Sequence, residues 1–114
     1  MTTLTIGPLS LSGRAVLAPM SGISDWPFRR LAARYGASLV VSEMVASDRL
    51  IAREEETRLK LEGEGLDIHA VQLAGCRAGD LAQAAQIAEA AGADLIDINM
   101  GCPAKRVVGG WAGS

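Results

Sequence analysis

A chain of 114 residues, 49% of them hydrophobic, is long enough for one small domain with its own core and too apolar to be disordered. Aromatics make up only 4% while glycine and alanine abound, which favours a closely packed α/β protein with an aliphatic core over a β-sandwich. The formal net charge of −2 excludes a global basic footprint, the two distant cysteines exclude a disulfide framework and predict a reducing, cytoplasmic setting, and neither a leader pattern nor an apolar run of the roughly 18 residues that span a membrane is present.

Leu4-Thr5-Ile6 and Leu9-Ser10-Leu11 flank the turn pair Gly7-Pro8, which predicts a small hairpin that plugs or edges something larger. Arg14 to Ala18 predicts a first buried strand, ended by Pro19-Met20-Ser21-Gly22. Asp25 predicts a helix cap with Pro27 in the first turn, and Phe28, Leu31, Ala32 and Tyr35 share one face, expected against the core, before Gly36 closes the helix. A second apolar strand is expected over Ser38 to Ser42, ending in Glu43-Met44. Residues 47–61, with the acidic run Glu54-Glu55-Glu56, predict a solvated loop with helical turns. Ile68 to Leu73 predicts a third strand, and Asp80 to Ala91 a helix with Leu81, Ala84, Ala88 and Ala91 on one stripe and Gly92 just past its end.

Leu95 to Asn99 predicts a short, buried fourth strand, because β-branched residues dominate and helical periodicity is absent. Alternation along it puts Asp97 and Asn99 on one face and Ile96, Ile98 and Met100 on the other. An amide or carboxylate left unpaired in apolar surroundings costs roughly 1–3 kcal/mol, so a polar partner is expected to meet that pair. Gly101-Cys102-Pro103 then carries a thiol away from the strand's carboxyl end.

Strand and helix alternate at intervals of roughly 25–30 residues, the size of a βαβ unit, so the sheet is expected to be parallel. Functional groups of such sheets gather at the carboxyl ends of strands, and here those ends carry Pro19-Met20-Ser21, Glu43-Met44, Gln72 and Asn99 to Cys102. Four strands fit either a small doubly wound sheet or the first half of an eight-stranded TIM barrel, which usually needs about 250 residues. No G-x-G-x-x-G follows the first strand, so the half barrel is preferred. Cys102 alone fits a nucleophile, a proton donor, a metal ligand or a packing residue. Cys76, Cys102 and His69 match no common zinc spacing, so no metal is expected, and His69 is expected to be a hydrogen-bonded core residue.

Taken together, Ala18-Pro19-Met20-Ser21-Gly22-Ile23-Ser24-Asp25, Ser42-Glu43-Met44, Ala70-Val71-Gln72-Leu73-Ala74-Gly75 and Asp97-Ile98-Asn99-Met100-Gly101-Cys102-Pro103-Ala104-Lys105 resemble, in order and spacing, the amino-terminal half of the bacterial tRNA-dihydrouridine synthases, most closely the B-type group. The resemblance implies an FMN-binding TIM barrel preceded by a small hairpin, with residues 1–114 a partial barrel ending after the fourth strand and its loop. The family's second half barrel and helical tRNA-binding domain would lie beyond Ser114. It implies reduction of the 5,6 double bond of uridine in tRNA with NADPH as reductant, hydride passing from reduced flavin to C6 and a proton from Cys102 to C5. An unperturbed thiol, with a pKa near 8.5, is mostly protonated at neutral pH and suits that role. By the same resemblance Pro19, Met20 and Ser21 contact the flavin through backbone groups, and Gln72 hydrogen-bonds its edge, obtaining a partner that its buried strand denies it. Asn99 holds the target uracil, and Lys105, with Arg106, meets tRNA phosphates or remains solvated. Two other readings stand beside this one: another FMN barrel acting on a free pyrimidine, and a non-catalytic half barrel.

Overall fold

The computed structural model describes residues 3–101, so the expectations for Cys102, Lys105 and Arg106 lie outside the described residues. β1 (Thr5–Ile6) and β2 (Leu9–Ser10) pair antiparallel around Gly7-Pro8, as that turn pair predicts. The hairpin delivers Leu11, 3% exposed, into a cluster with Leu39, Val41 and Ala70. Leu39 and Ala70 begin their strands, so the hairpin plugs one face of the sheet at the strands' amino ends.

β3 (Val16–Leu17) pairs parallel with β4 (Leu39–Val40), and β5 (Val45–Ala46), β6 (Ala70–Ala74) and β7 (Leu95–Ile98) form a second parallel sheet. A parallel bridge between Val41 and Ala70 joins the two. The strands therefore lie side by side in chain order, as successive βα units require. Val41 stands opposite Ala70 and Val45 opposite Leu73, so four steps along one strand meet three along its neighbour. The extra residue falls within Ser42-Glu43-Met44 and reverses which face later side chains take. Val41 accordingly packs with Leu11 and Ala70, whereas Val45 packs with Leu50, Val71 and Leu73 on the opposite face.

β3 and β7 are less buried than their sequences predict, with Val16 48% and Ile98 56% exposed. Among the described residues each has a strand on one side only, and a strand buries fully only between neighbours and beneath a covering layer. β6, which has neighbours on both sides, is buried along its whole length.

α1 (Trp26–Arg34) begins as predicted, with the Asp25 carboxylate accepting a hydrogen bond from the Phe28 N–H (3.0 Å) and Pro27 in the first turn. Its expected core face is not buried: Phe28, Leu31 and Tyr35 are all exposed, and the buried residue is Arg29. Polar contacts to the loop before β6 dock the helix instead. Arg29 Nη2 donates to the Glu62 carbonyl (2.9 Å) and Trp26 Nε1 to the Glu64 carbonyl (2.8 Å).

The charged stretch holds two short helices, α2 (Ser47–Ile51) and α3 (Glu55–Leu59). Glu54, Glu55 and Glu56 are exposed as expected, but Leu50 and Leu61 enter the main core. α2 packs on α4 (Ala78–Ala90), whose fully buried Ala84 and Ala88 let the helices and β6 approach closely. Ala91, placed on that stripe by the sequence, is instead the exposed cap, and Gly92 at φ +105° follows it in the left-handed turn that stops the helix.

Candidate active site

Parallel neighbours in register project their side chains to the same side, and Gln72 is paired with Asp97. Gln72 Nε2 donates to Asp97 Oδ2 (2.6 Å), Asn99 Nδ2 donates to Gln72 Oε1 (3.2 Å), and the Gly101 N–H donates to Asn99 Oδ1 (3.0 Å). The polar partner expected for Asp97 and Asn99 is thus Gln72. The same bonds correct the expectation that Gln72 lacks protein partners: the neighbouring strand supplies two.

The bulge ties this cluster to the first loop. Ser42, fully buried, accepts from the Gln72 N–H through Oγ (3.0 Å) and donates to the Glu43 carbonyl (2.9 Å). Glu43 Oε1 accepts from the Gly22 N–H (2.6 Å). Within that loop buried Ser24 accepts from the Met20 N–H (2.8 Å) and donates to the Met20 carbonyl (3.1 Å). Arg29 Nε donates to the Ser24 carbonyl (3.1 Å). Burial pushes the Arg29 guanidinium below its ordinary pKa, and Glu43, Asp25 and Glu62 partly offset this. Pro19 and Met20 are half-buried and Ser21 is exposed, on a loop held from both sides. Glu43, Gln72 and Asn99 therefore stand on one rim with that loop, connected through Ser42.

The holding roles of Ser24, Arg29 and Glu43 are not apparent in the sequence. Glu43 and Ser24 fall within the motifs quoted above, which was the available signal; Arg29 carries none, being a charged residue beside an apolar stripe. His69 is 6% exposed, as a core residue should be, yet its Nε2 has no hydrogen-bond partner among the described residues. Its backbone N–H is bonded to Asp94 (2.9 Å), and it borders a hollow of about 490 Å³ near the amino ends of β6 and β7, away from the rim. Among the described residues no three His, Cys, Asp or Glu side chains are grouped to hold a metal, and no helix is long and apolar enough to cross a membrane. Cys76 is an exposed free thiol.

Parallel strands, joined by helices, that collect polar groups at their carboxyl ends define the class of β/α proteins that bind ligands on that rim. The family model for dihydrouridine synthase (Dus) matches residues 16–114. The chain is 57% identical over 106 residues to a probable tRNA-dihydrouridine synthase of Rhizobium leguminosarum bv. phaseoli, covering 93% of this chain and 33% of that protein. It is 50% identical over 115 residues to tRNA-dihydrouridine synthase B of Pseudomonas aeruginosa, covering 100% of this chain and 35% of that one. The chain belongs to the dihydrouridine synthase family, and it spans about a third of the length of these curated relatives, matching their amino-terminal part.

Proposed function

We propose that this chain is the amino-terminal part of a cytoplasmic tRNA-dihydrouridine synthase, an FMN-dependent oxidoreductase that uses NADPH to reduce the 5,6 double bond of uridine in tRNA. Residues 1–114 form the first part of its (β/α) barrel, and the rest of the barrel and a helical tRNA-binding domain belong to the length of the relatives that this chain does not span. Side-by-side parallel strands in chain order, with an amino-terminal hairpin beneath them, support the barrel reading.

The donor set fits a flavin. Asp97 takes one N–H of the Gln72 amide and leaves the other for the isoalloxazine edge. Pro19 and Ser21 offer backbone groups on either side of Met20, whose own N–H and carbonyl are bonded to Ser24, on a loop that Glu43 and Ser24 hold in place. When bound and reduced, FMN supplies hydride to C6 of the uracil. Asn99 holds that uracil through the N–H that Gln72 does not use, and Cys102, three residues further on, gives its thiol proton to C5. A positioned acid of this kind contributes roughly 10²–10⁴-fold to rate. Lys105 meets tRNA phosphate, and the target base leaves its stack to reach the rim.

The observation that carries this reading is the bonded set Asp97, Gln72 and Asn99 at the strand ends immediately before Gly101-Cys102, in a chain of this family. The full-length protein, supplied with NADPH and either unmodified tRNA or free uridine, tests it. Dihydrouridine should form in tRNA and not from free uridine. Equal or better turnover of the free nucleoside would instead establish a small-molecule flavin enzyme.

A further inference from the structure

We propose that Asp97 is a positioning residue: it sets the direction of the hydrogen-bond chain running from Gly101 through Asn99 and Gln72. The inference rests on the functional reading above and extends it to a residue that touches neither cofactor nor substrate. The two ends of a primary amide have nearly the same shape, one accepting and the other donating, so two amides in series can be bonded in either direction. A carboxylate only accepts and a backbone N–H only donates. With Asp97 at one end and the Gly101 N–H at the other, a single direction satisfies every bond: Gly101 to Asn99 Oδ1, Asn99 Nδ2 to Gln72 Oε1, Gln72 Nε2 to Asp97. The reverse would set oxygen against oxygen at Asp97 and N–H against N–H at Gly101.

The direction has two chemical consequences. Each amide keeps one uncommitted N–H, so the rim presents donors and suits carbonyl oxygens of a flavin or uracil edge. A donor at the uracil C4 carbonyl would also stabilise the negative charge that gathers there as C6 accepts hydride. The second consequence concerns the thiol. Asn99 Oδ1 is free to hold the Gly101 N–H only in this direction, and Gly101 immediately precedes Cys102.

The test uses the full-length FMN protein. Asp97→Leu removes the acceptor while keeping the number of side-chain heavy atoms, and Asp97→Asn restores one. In Asp97→Leu, hydrogen exchange at the Gly101 amide should quicken about tenfold, the weight of one hydrogen bond, and dihydrouridine formed per bound flavin should fall by a similar factor. The Val71 and Leu73 amides should keep their exchange rates, and Asp97→Asn should recover most of both losses. Unchanged exchange at Gly101, or quickening shared equally by β6 and β7, would overturn the proposal and leave Asp97 a structural residue. Should Asp97→Leu fail to fold, Gln72→Glu combined with Asp97→Asn answers the same question. The carboxylate at position 72 then accepts from both neighbours, so Asn99 keeps its direction and Gly101 its protection; loss of that protection would sink the idea. If the wild-type protein makes no dihydrouridine, the functional reading fails, whereas the exchange measurement still decides the role of Asp97.

Discussion

Gln72 has most at stake at the residue scale, because the residue is only 7% exposed and both ends of its amide are engaged. Gln72→Leu keeps approximate volume and deletes the amide. In the full-length protein FMN affinity should weaken by about 1–3 kcal/mol, read by flavin fluorescence on titration, and unchanged affinity would remove Gln72 from the flavin site. Alternation along β7 made the Asp97 and Asn99 face legible in the sequence. Their partner was not legible, since the register between β6 and β7 depends on how α4, which connects them, packs on the sheet, and no local pattern encodes it.

Local chemistry marked the starts and stops of elements well at the next scale: Asp25 and Pro27 open α1, Gly92 closes α4, and Gly7-Pro8 turns the hairpin. Apolar periodicity misplaced the buried side of α1, because burial depends on what is there to cover a face, and Arg29 is drawn inward by two carbonyls. β5 was missed because the bulge at Ser42-Glu43-Met44 breaks the alternation that reveals a strand. The loop before β6 makes a sharp prediction of its own. A Cβ at Gly63 would run into the His69 ring at Cδ2, Cγ and Nε2, and that ring is buried. Gly63→Ala should therefore lower stability by about 1–3 kcal/mol in denaturant unfolding, as overpacking does. An unchanged midpoint would mean that the ring steps aside at no cost.

Across the whole molecule, the outer strands and one helix face present apolar side chains to water, Val16, Phe28, Leu31 and Ile98 among them. Half a barrel has two open edges and an uncovered face, and such surfaces associate. Residues 1–114 produced alone should run as a dimer or larger species in size-exclusion chromatography with light scattering at micromolar concentration. A cooperatively unfolding monomer would show that these strands make a complete small sheet, and the barrel proposal would fall.

By the proposed function, this chain supplies the flavin cradle and the proton donor of an enzyme that reduces uridine in tRNA. Position-resolved mass spectrometry of tRNA, from cells lacking the full-length gene and from the same cells carrying the wild-type gene or Cys102→Ala, tests it most directly. Dihydrouridine should vanish from at least one tRNA position on deletion, return with the wild-type gene, and stay absent or fall by roughly 10²–10⁴-fold in rate with Cys102→Ala. A dihydrouridine map unchanged by the deletion would contradict the account.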